Sequence, residues 1–340
     1  MTPEEKLQIQ SRGVEICQRF LMREAGITEE EYRALTIQDL CVLITNARML
    51  IKKANYRDDK ELCLTLNEHI WDMHTKLIAK IKAAENVYII IDQSTRFPYI
   101  DNKDNGILLF SRKVFADDYV EEMAVKQFRR FEVLEISKLM QTMYIAQTFF
   151  MYGVKGVHVD RSLVGCFLEA NDFVAEPDVK KMDPALVPVM NPDFMRAYLK
   201  YSQEILWKVD YPERKEVLEE LEKDMAMAMK DARFLIPAKG LPGEAAVDRK
   251  LTEEESEKLA FAVLSGADGK RALPVFSDWE QFKIAYSDVD YKGFIIPYAD
   301  LADLFRKNGT FDAIVFNYRK CPMELNKQSL ERLEKLMNVD

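Results

Sequence analysis

The amino-acid sequence predicts an α+β protein, in which a helical N-terminal segment is followed by two related α+β domains that a helical connector joins. Three observations predict this class. Residues 1–86 and 177–232 carry apolar residues at helical spacing. Residues 87–176 and 233–340 instead carry short β-branched and aromatic runs of strand length. Those runs follow the same order in both stretches, which indicates an internal duplication.

Helix-start signals divide residues 1–86 into four helices. The predicted N-caps are Thr2, Thr28, Thr36 or Gln38, and Asp58 or Asp59. The first helix is expected to end near Ala25-Gly26, because glycine commonly ends a helix.

The fourth helix has apolar residues on two sides. Its main stripe consists of Leu62, Leu66, Ile70, Met73, Leu77 and Ile81. A second stripe, about 140° away at 100° per residue, consists of Leu64, Trp71 and Ile78. Such a helix usually packs between two layers. We therefore expect either another part of the chain or a second subunit to cover Trp71.

The duplication rests on four pairs of strand-length runs. Runs 87–91, 106–111, 131–136 and 157–160 match, in order, runs 233–237, 272–277, 293–298 and 314–317. The offset between later pairs drifts from 166 to 157, as differences in loop length would produce. Two apolar runs around Asn105-Gly106 predict a hairpin. Ser111 is a predicted helix cap, and Ser277 with Glu280 forms a predicted capping box.

The second copy resembles a known family. The residues that carry the resemblance are Leu235-Ile236-Pro237, Asp268-Gly269, the segment Leu273-Pro274-Val275-Phe276-Ser277-Asp278-Trp279-Glu280, and Ile314-Val315-Phe316-Asn317. This pattern resembles the SseB family, specifically the N-terminal domain of the enhanced serine sensitivity protein, over about residues 233–336. Residues 87–174 keep Leu109-Phe110-Ser111 and resemble the family only through the second copy. Tyr318 stands where the family has proline, which is a departure.

The resemblance implies an α+β domain with a loose link to amino-acid metabolism. It brings no catalytic residue and no reaction. Motifs for phosphate, dinucleotide or acyl-transfer chemistry are also missing from the sequence. His69 and His74 are five residues apart and cannot share a metal on one helix. We therefore expect no catalytic residue, no cofactor and no metal.

Charge and cysteine content limit the partners and the compartment. The net charge is −9, and none of the four segments is net positive, which disfavours nucleic acids and anionic membranes as partners. The sequence has no apolar run long enough to span a bilayer and no signal-peptide pattern at its start. The five cysteines form no C-x-x-C motif, so we expect reduced thiols in a cytoplasmic protein.

One surface of the second copy is the candidate ligand site. Asn317, Tyr318 and Arg319 follow the closing strand, at the edge where α/β-type sheets often bind ligands. Trp279 and Tyr298 belong to the same family block. These five residues are the predicted ligand-binding set.

Three functions remain open at this stage. The first is a non-catalytic binding or regulatory protein that contacts a protein partner or a second copy of itself. The second is a small-molecule sensor or enzyme, with an amino-acid-related ligand, whose site lies between the two copies. The third is a protein-interaction adaptor.

Overall fold

The structure is a computed structural model that describes residues 1–21, 23, 25–175, 189–240, 259–287 and 291–338. Over these residues the chain is an α+β protein with twelve helices and thirteen strands, which confirms the predicted class. It divides into two compact units. Unit 1 comprises Met1–Gln93, Phe97–Phe149 and Val154–Glu176; unit 2 comprises Ser94–Arg96, Phe150–Gly153 and Pro177–Asp340. None of the described helices combines the length and apolar character that a membrane span requires.

Unit 1 begins with four helices. They are α1 (Pro3–Phe20), α2 (Glu29–Ala34), α3 (Ile37–Tyr56) and α4 (Lys60–Ala83). Thr2, Thr28 and Thr36 each form a capping box, so Gln38 is not the cap of α3. Asp59 caps α4. Helix α1 ends at Phe20, earlier than expected, and Arg23 then donates to the carbonyls of the following loop, where the chain turns toward α2.

Helix α4 packs against its neighbours mainly through one of its two apolar stripes. Leu66, Met73, Leu77 and Ile81 are fully buried on the side that faces α3. Leu64 and Trp71 are 68% and 73% exposed. The expectation that another part of the chain covers Trp71 is therefore wrong for the described residues, although Ile78 of the same stripe is half-buried. The second-subunit alternative stays a prediction.

The sheet of unit 1 has six strands. They are β1 (Asn86–Asp92), β2 (Phe97–Pro98), β3 (Gly106–Phe110), β4 (Phe131–Ser137), β5 (Gly156–Val159) and β6 (Cys166–Glu169). The strand order is β2-β1-β3-β5-β6, and β4 also pairs with β1. Only β3 and β5 run parallel. The helices after β3, β4 and β6 are α5 (Lys113–Gln127), α6 (Lys138–Tyr152) and α7 (Ala170–Phe173).

The predicted hairpin before β3 is only partly formed. Strand β2 pairs with β1, through Ile91 and Pro98, rather than with β3. A single bridge joins Ile100 to Ile107 across the predicted turn. Proline lacks an N–H donor, so a ladder through Pro98 stays short.

Within residues 189–240, 259–287 and 291–338, unit 2 has two small sheets and five helices. Its strands are β7 (Arg233–Lys239), β8 (Ala260–Phe261), β9 (Leu264–Ser265), β10 (Arg271–Val275), β11 (Lys292–Pro297), β12 (Ala313–Phe316) and β13 (Met323–Asn326). Its helices are α8 (Pro192–Leu206), α9 (Arg214–Lys230), α10 (Trp279–Tyr286), α11 (Tyr298–Lys307) and α12 (Lys327–Met337). The sheet orders are β13-β12-β10-β9 and β11-β7-β8, and a bridge between Leu235 and Phe276 links them.

The core of unit 2 lies between α8 and the strands. Phe194 and Tyr198 of α8 stack on each other, and Phe194 also contacts Phe234 and Phe316 edge-on or at a tilt. All four rings are almost fully buried. This aromatic packing holds β7 and β12 beneath one helix, so the loops that follow the strands start from a rigid base.

Candidate functional site

A buried polar cluster marks the point where β10 and β12 end. These strands are parallel, with Val275 opposite Phe316, so their carboxyl ends lie side by side. Ser277 follows β10 and Asn317 follows β12. The backbone N–H of Ser277 donates to Asn317 Oδ1 at 3.1 Å, and Asn317 Nδ2 donates to Ser277 Oγ at 3.0 Å. Asn317 has φ 46°, in the left-handed region that asparagine tolerates better than most residues.

Asp278 completes this group, which we call the Ser277 cluster (Ser277, Asp278 and Asn317). Its Oδ1 accepts the N–H of Gln281 at 2.9 Å and so caps α10, and its Oδ2 accepts the Ser277 hydroxyl at 2.6 Å. The predicted capping box of Ser277 with Glu280 is therefore wrong, because the Ser277 hydroxyl is engaged by Asp278 and Asn317. Burial raises the pKa of Asp278, against the hydrogen bonds that favour its charged form.

Three of the five predicted ligand-binding residues surround this cluster. Trp279 and Tyr318 are half-buried and pack on the side chains of Phe276 and Phe282. Arg319 is exposed, with its guanidinium carbon 5.1 Å from the centre of the Tyr318 ring. Asn317 lies beneath them and is 1% exposed, so it positions the loop rather than facing solvent.

The structure places Tyr298 elsewhere. It begins α11, where its N–H donates to the carbonyl of Ala232. Its side chain is buried, and burial, followed by the nearby charge of Glu334, raises the pKa of its phenol. Its hydroxyl has no hydrogen-bond partner among the described residues. Tyr298 is therefore separate from the surface that Trp279, Tyr318 and Arg319 form.

The same arrangement occurs in unit 1, where the sequence predicts only a helix cap at Ser111. The N–H and the hydroxyl of Ser111 donate to the two carboxylate oxygens of Asp160, each at 2.7 Å. Asp160 follows β5 and has φ 51°. The prediction that Ser111 caps α5 is wrong, because its hydroxyl donates to Asp160. Arg112 occupies the N-cap position and forms no side-chain hydrogen bond there. The available signal was Phe-Ser at the end of a strand and before a helix in both copies.

Asp160 differs from Asn317 in that it can ionise. It is fully buried, and burial raises its pKa to about 6, despite the opposing hydrogen bonds from Ser111. Both serine hydroxyls donate to a carboxylate oxygen, Ser111 to Asp160 and Ser277 to Asp278. The arrangement at each junction joins the ends of two parallel strands to the start of a helix.

The histidines and cysteines occupy separate places. His74 lies 2.9 Å from an Arg48 nitrogen, and His158 Nε2 lies 2.7 Å from Asp104 Oδ2. The sulfur atoms of Cys41 and Cys166 are 3.6 Å apart and buried. In the part of the chain that the structure describes, no three histidine, cysteine or acidic side chains are grouped to hold a metal ion.

Helix α6 carries an exposed apolar surface, which we call the α6 face (Leu139, Met140 and Met143). Their side chains are 90%, 45% and 58% exposed. Residues 139–152 contain no charged side chain. The opposite side of the helix buries Ile145 and Phe149. An uncharged helix with one buried and one open apolar side is typical of a surface that another molecule covers.

The fold and the junction geometry define unit 2 as an α+β domain in which a parallel strand pair leads into a capped helix. Residues 215–332 match the family model of the SseB protein N-terminal domain, which confirms the resemblance. The match begins within α9, so it includes part of the segment predicted as a connector. No curated protein and no solved structure shows a significant match to the chain.

Proposed function

We propose that this protein is a non-catalytic binding protein and that a protein partner docks on the α6 face. The observation that carries the proposal is the exposure of Leu139, Met140 and Met143 on a helix without charged residues after Lys138. Methionine is common at surfaces that bind other proteins, because its unbranched chain adapts to the shape of a partner. The partner is either a different protein or a second copy of this chain, and the experiment below distinguishes them.

The two serine junctions support a non-catalytic role. Their hydroxyls are the nucleophile-type groups that the fold brings to the ends of the parallel strands. Ser277 is fully buried and lies against Asp278 and Asn317, away from solvent. A substrate would have to displace this cluster before it could reach the hydroxyl.

Site-specific photocross-linking in cells tests the proposal. A photoreactive phenylalanine derivative replaces Leu139, and the same derivative replaces Lys215 as an exposed control in unit 2. We expect position 139 to give a discrete cross-linked product and position 215 to give none. The product's mass identifies it as a homodimer or as a complex with another protein.

The variant Met143→Glu serves as the matched disruption. It should abolish the product formed from position 139 and change the free energy of unfolding by no more than about 0.5 kcal/mol, because Met143 is exposed. Equal cross-linking from positions 139 and 215, with a monomeric mass by light scattering, would contradict the proposal.

A second candidate function concerns unit 2. We propose that Trp279, Tyr318 and Arg319 bind a small amino-acid-related ligand, because the exposed guanidinium of Arg319 lies beside an aromatic ring and can receive a carboxylate. NMR titration with free amino acids tests it. Arg319→Ala should remove the ligand-induced shifts, whereas Lys327→Ala, an equal charge change on α12, should leave them. Shifts that survive in Arg319→Ala would exclude this surface.

We further propose that the two units arose by duplication. Support comes from their strand pairing: β1 pairs antiparallel with β4, as β7 does with β11. Likewise β3–β5 and β10–β12 are parallel, and each is extended by an antiparallel strand, β6 or β13.

We also propose a cytoplasmic location, which rests on the cysteine pattern of the sequence.

A further inference from the structure

Unit 1 contains a cavity of about 330 Å³ between three of its elements. Helix α1 contributes Ile9 and Arg12, the first turn of α3 contributes residues 36–39, and the start of α5 contributes Ser111, Arg112 and Phe115. The volume lies at the small end of the range of ligand sites, which is roughly 300–1,000 Å³. The cavity is distinct from the α6 face and from the surface of unit 2 described above.

Two features of the cavity lining favour an anion. Arg12 donates two hydrogen bonds of 2.8 Å to Asp39, so these two charges compensate each other. Arg112 forms no salt bridge among the described residues, although its charge acts on the Asp160 carboxylate; its guanidinium lies over the Phe115 ring at 4.9 Å. Helix α5 starts beside it with no side-chain cap and no acidic residue in its first turn. An uncapped helix start and a guanidinium without a salt bridge together attract a negative group.

Asp160 does not fill this position. Its carboxylate lies behind Ser111, from which it accepts two hydrogen bonds, and it is fully buried. Its oxygens therefore serve Ser111 and not the first N–H groups of α5. Because Asp160 acts on Arg112 only through its charge and without a salt bridge, the guanidinium can still pair with the carboxylate of a ligand.

The cavity lining also includes a buried hydrogen-bond acceptor. Gln38 is 7% exposed, and its Nε2 donates to the carbonyl of Val164 at 3.2 Å, which fixes the orientation of the amide. Its Oε1 is buried and has no hydrogen-bond partner among the described residues. A buried acceptor without a donor is costly, and a donor supplied by a ligand would relieve that cost.

We propose that this cavity binds a small monocarboxylate that has an apolar body and an uncharged hydrogen-bond donor. The carboxylate lies against Arg112 and the start of α5, and the donor, a hydroxyl or an amide N–H, reaches Gln38. Ile9, Ile37 and Phe115 also line the cavity and contact the apolar body. An ammonium group is a poorer donor here, because two arginines line the same cavity.

Three matched probes test the ligand class on the full-length protein. They are 2-hydroxy-4-methylpentanoate, 4-methylpentanoate, which lacks the hydroxyl, and 2-hydroxy-4-methylpentanamide, which lacks the charge. Dissociation constants come from NMR titration of the labelled protein. We expect the hydroxy acid to bind most tightly, with about tenfold weaker binding for the amide and about threefold weaker binding for the acid without the hydroxyl.

Two variants assign the contacts. Arg112→Gln should abolish the preference for the acid over the amide and keep the preference for the hydroxyl. Gln38→Met should abolish the preference for the hydroxyl and keep the preference for the acid over the amide. Arg57→Gln removes one positive charge from an exposed position outside the cavity and should leave all three constants unchanged. Thermal unfolding without ligand establishes that each variant is folded.

The probes on the unmodified protein can overturn the proposal by themselves. It is wrong if none of the three binds at millimolar concentration, or if the acid and the amide bind equally. Competition by inorganic phosphate as strong as that by the hydroxy acid would show a simple anion site and exclude the proposed ligand class. A preference for the acid that survives in Arg112→Gln would place the ligand elsewhere.

Discussion

Ser111 binds both carboxylate oxygens of Asp160, one through its backbone N–H and one through its hydroxyl, at 2.7 Å each. In unit 2 the corresponding places are held by Ser277 and Asn317. Asp160 and Asn317 both have a left-handed φ, and both donate their own N–H to the carbonyl of a residue in the neighbouring parallel strand. One difference between the two junctions is that the carboxylate of Asp160 ionises and the amide of Asn317 does not.

That difference predicts a pH effect on Asp160. Its folded pKa of about 6 lies above its unfolded value, so the folded state binds more protons between about pH 4 and 6. The free energy of unfolding should therefore fall as the pH rises through this range. Asp160→Asn should remove this loss and stabilise the protein by about 1–3 kcal/mol at pH 7, with little effect at pH 4. Urea unfolding at both pH values measures it, and equal effects at the two would contradict the prediction.

The reciprocal substitution tests the junction of unit 2. Asn317→Asp places a second buried carboxyl next to Asp278, so we expect a loss of about 2–4 kcal/mol at pH 7. Part of that loss should be regained at pH 4, where protonation removes the new charge. A variant as stable as the parent at pH 7 would show that the Ser277 cluster is open to water.

Trp71 provides a test of the exposed stripe of α4. Because its side chain is 73% exposed, Trp71→Ala should change the free energy of unfolding by no more than about 0.5 kcal/mol. Leu77→Ala, on the buried side of the same helix, should cost about 2–5 kcal/mol. Chemical unfolding compares them, and light scattering follows the mass. A fall in mass for Trp71→Ala would show that a second subunit covers the stripe.

Gly293 and Trp279 form a tight contact that can be tested as a pair. A Cβ on Gly293 would lie 2.5 Å from Cη2 of Trp279 and 3.0 Å from Leu235 Cδ2. Gly293→Ala should therefore cost about 1–3 kcal/mol through overpacking and shift the tryptophan emission. In a Trp279→Phe background the smaller ring leaves room, so the same change should cost less. An equal cost in both backgrounds would exclude the ring as the cause.

The helix starts could be predicted because their signals are local. Thr2, Thr28 and Thr36 each act on a residue three positions later, so a short stretch of sequence contains both partners. Strand partners were harder, since nothing near Phe97 and Pro98 shows that they pair with β1 instead of β3. Ser111 and Ser277 were predicted as caps for the same reason: their actual partners, Asp160 and Asn317, are distant in the sequence.

Of the candidate sites, one could be predicted from the sequence and two could not. Trp279, Tyr318 and Arg319 could be grouped because parallel strands bring their carboxyl ends together. The α6 face could not be predicted, because Leu139, Met140 and Met143 have the composition of a buried helix. Only the packing of their neighbours leaves them exposed. The cavity of unit 1 draws its lining from three separate segments, so its assembly depends on tertiary structure alone.

The contact between Ser277 and Asn317 joins residues 40 positions apart, and that between Ser111 and Asp160 joins residues 49 apart. On the ribosome, each junction can close only after the second strand of its parallel pair has emerged. Until then the N–H of Ser277 lacks its acceptor, and a chain truncated before Asn317 would lack it permanently. Chain entropy opposes the closure of such a loop, and the favourable contacts form only after the loop has closed. The synthesis of Asn317 is therefore the step that allows the junction to form.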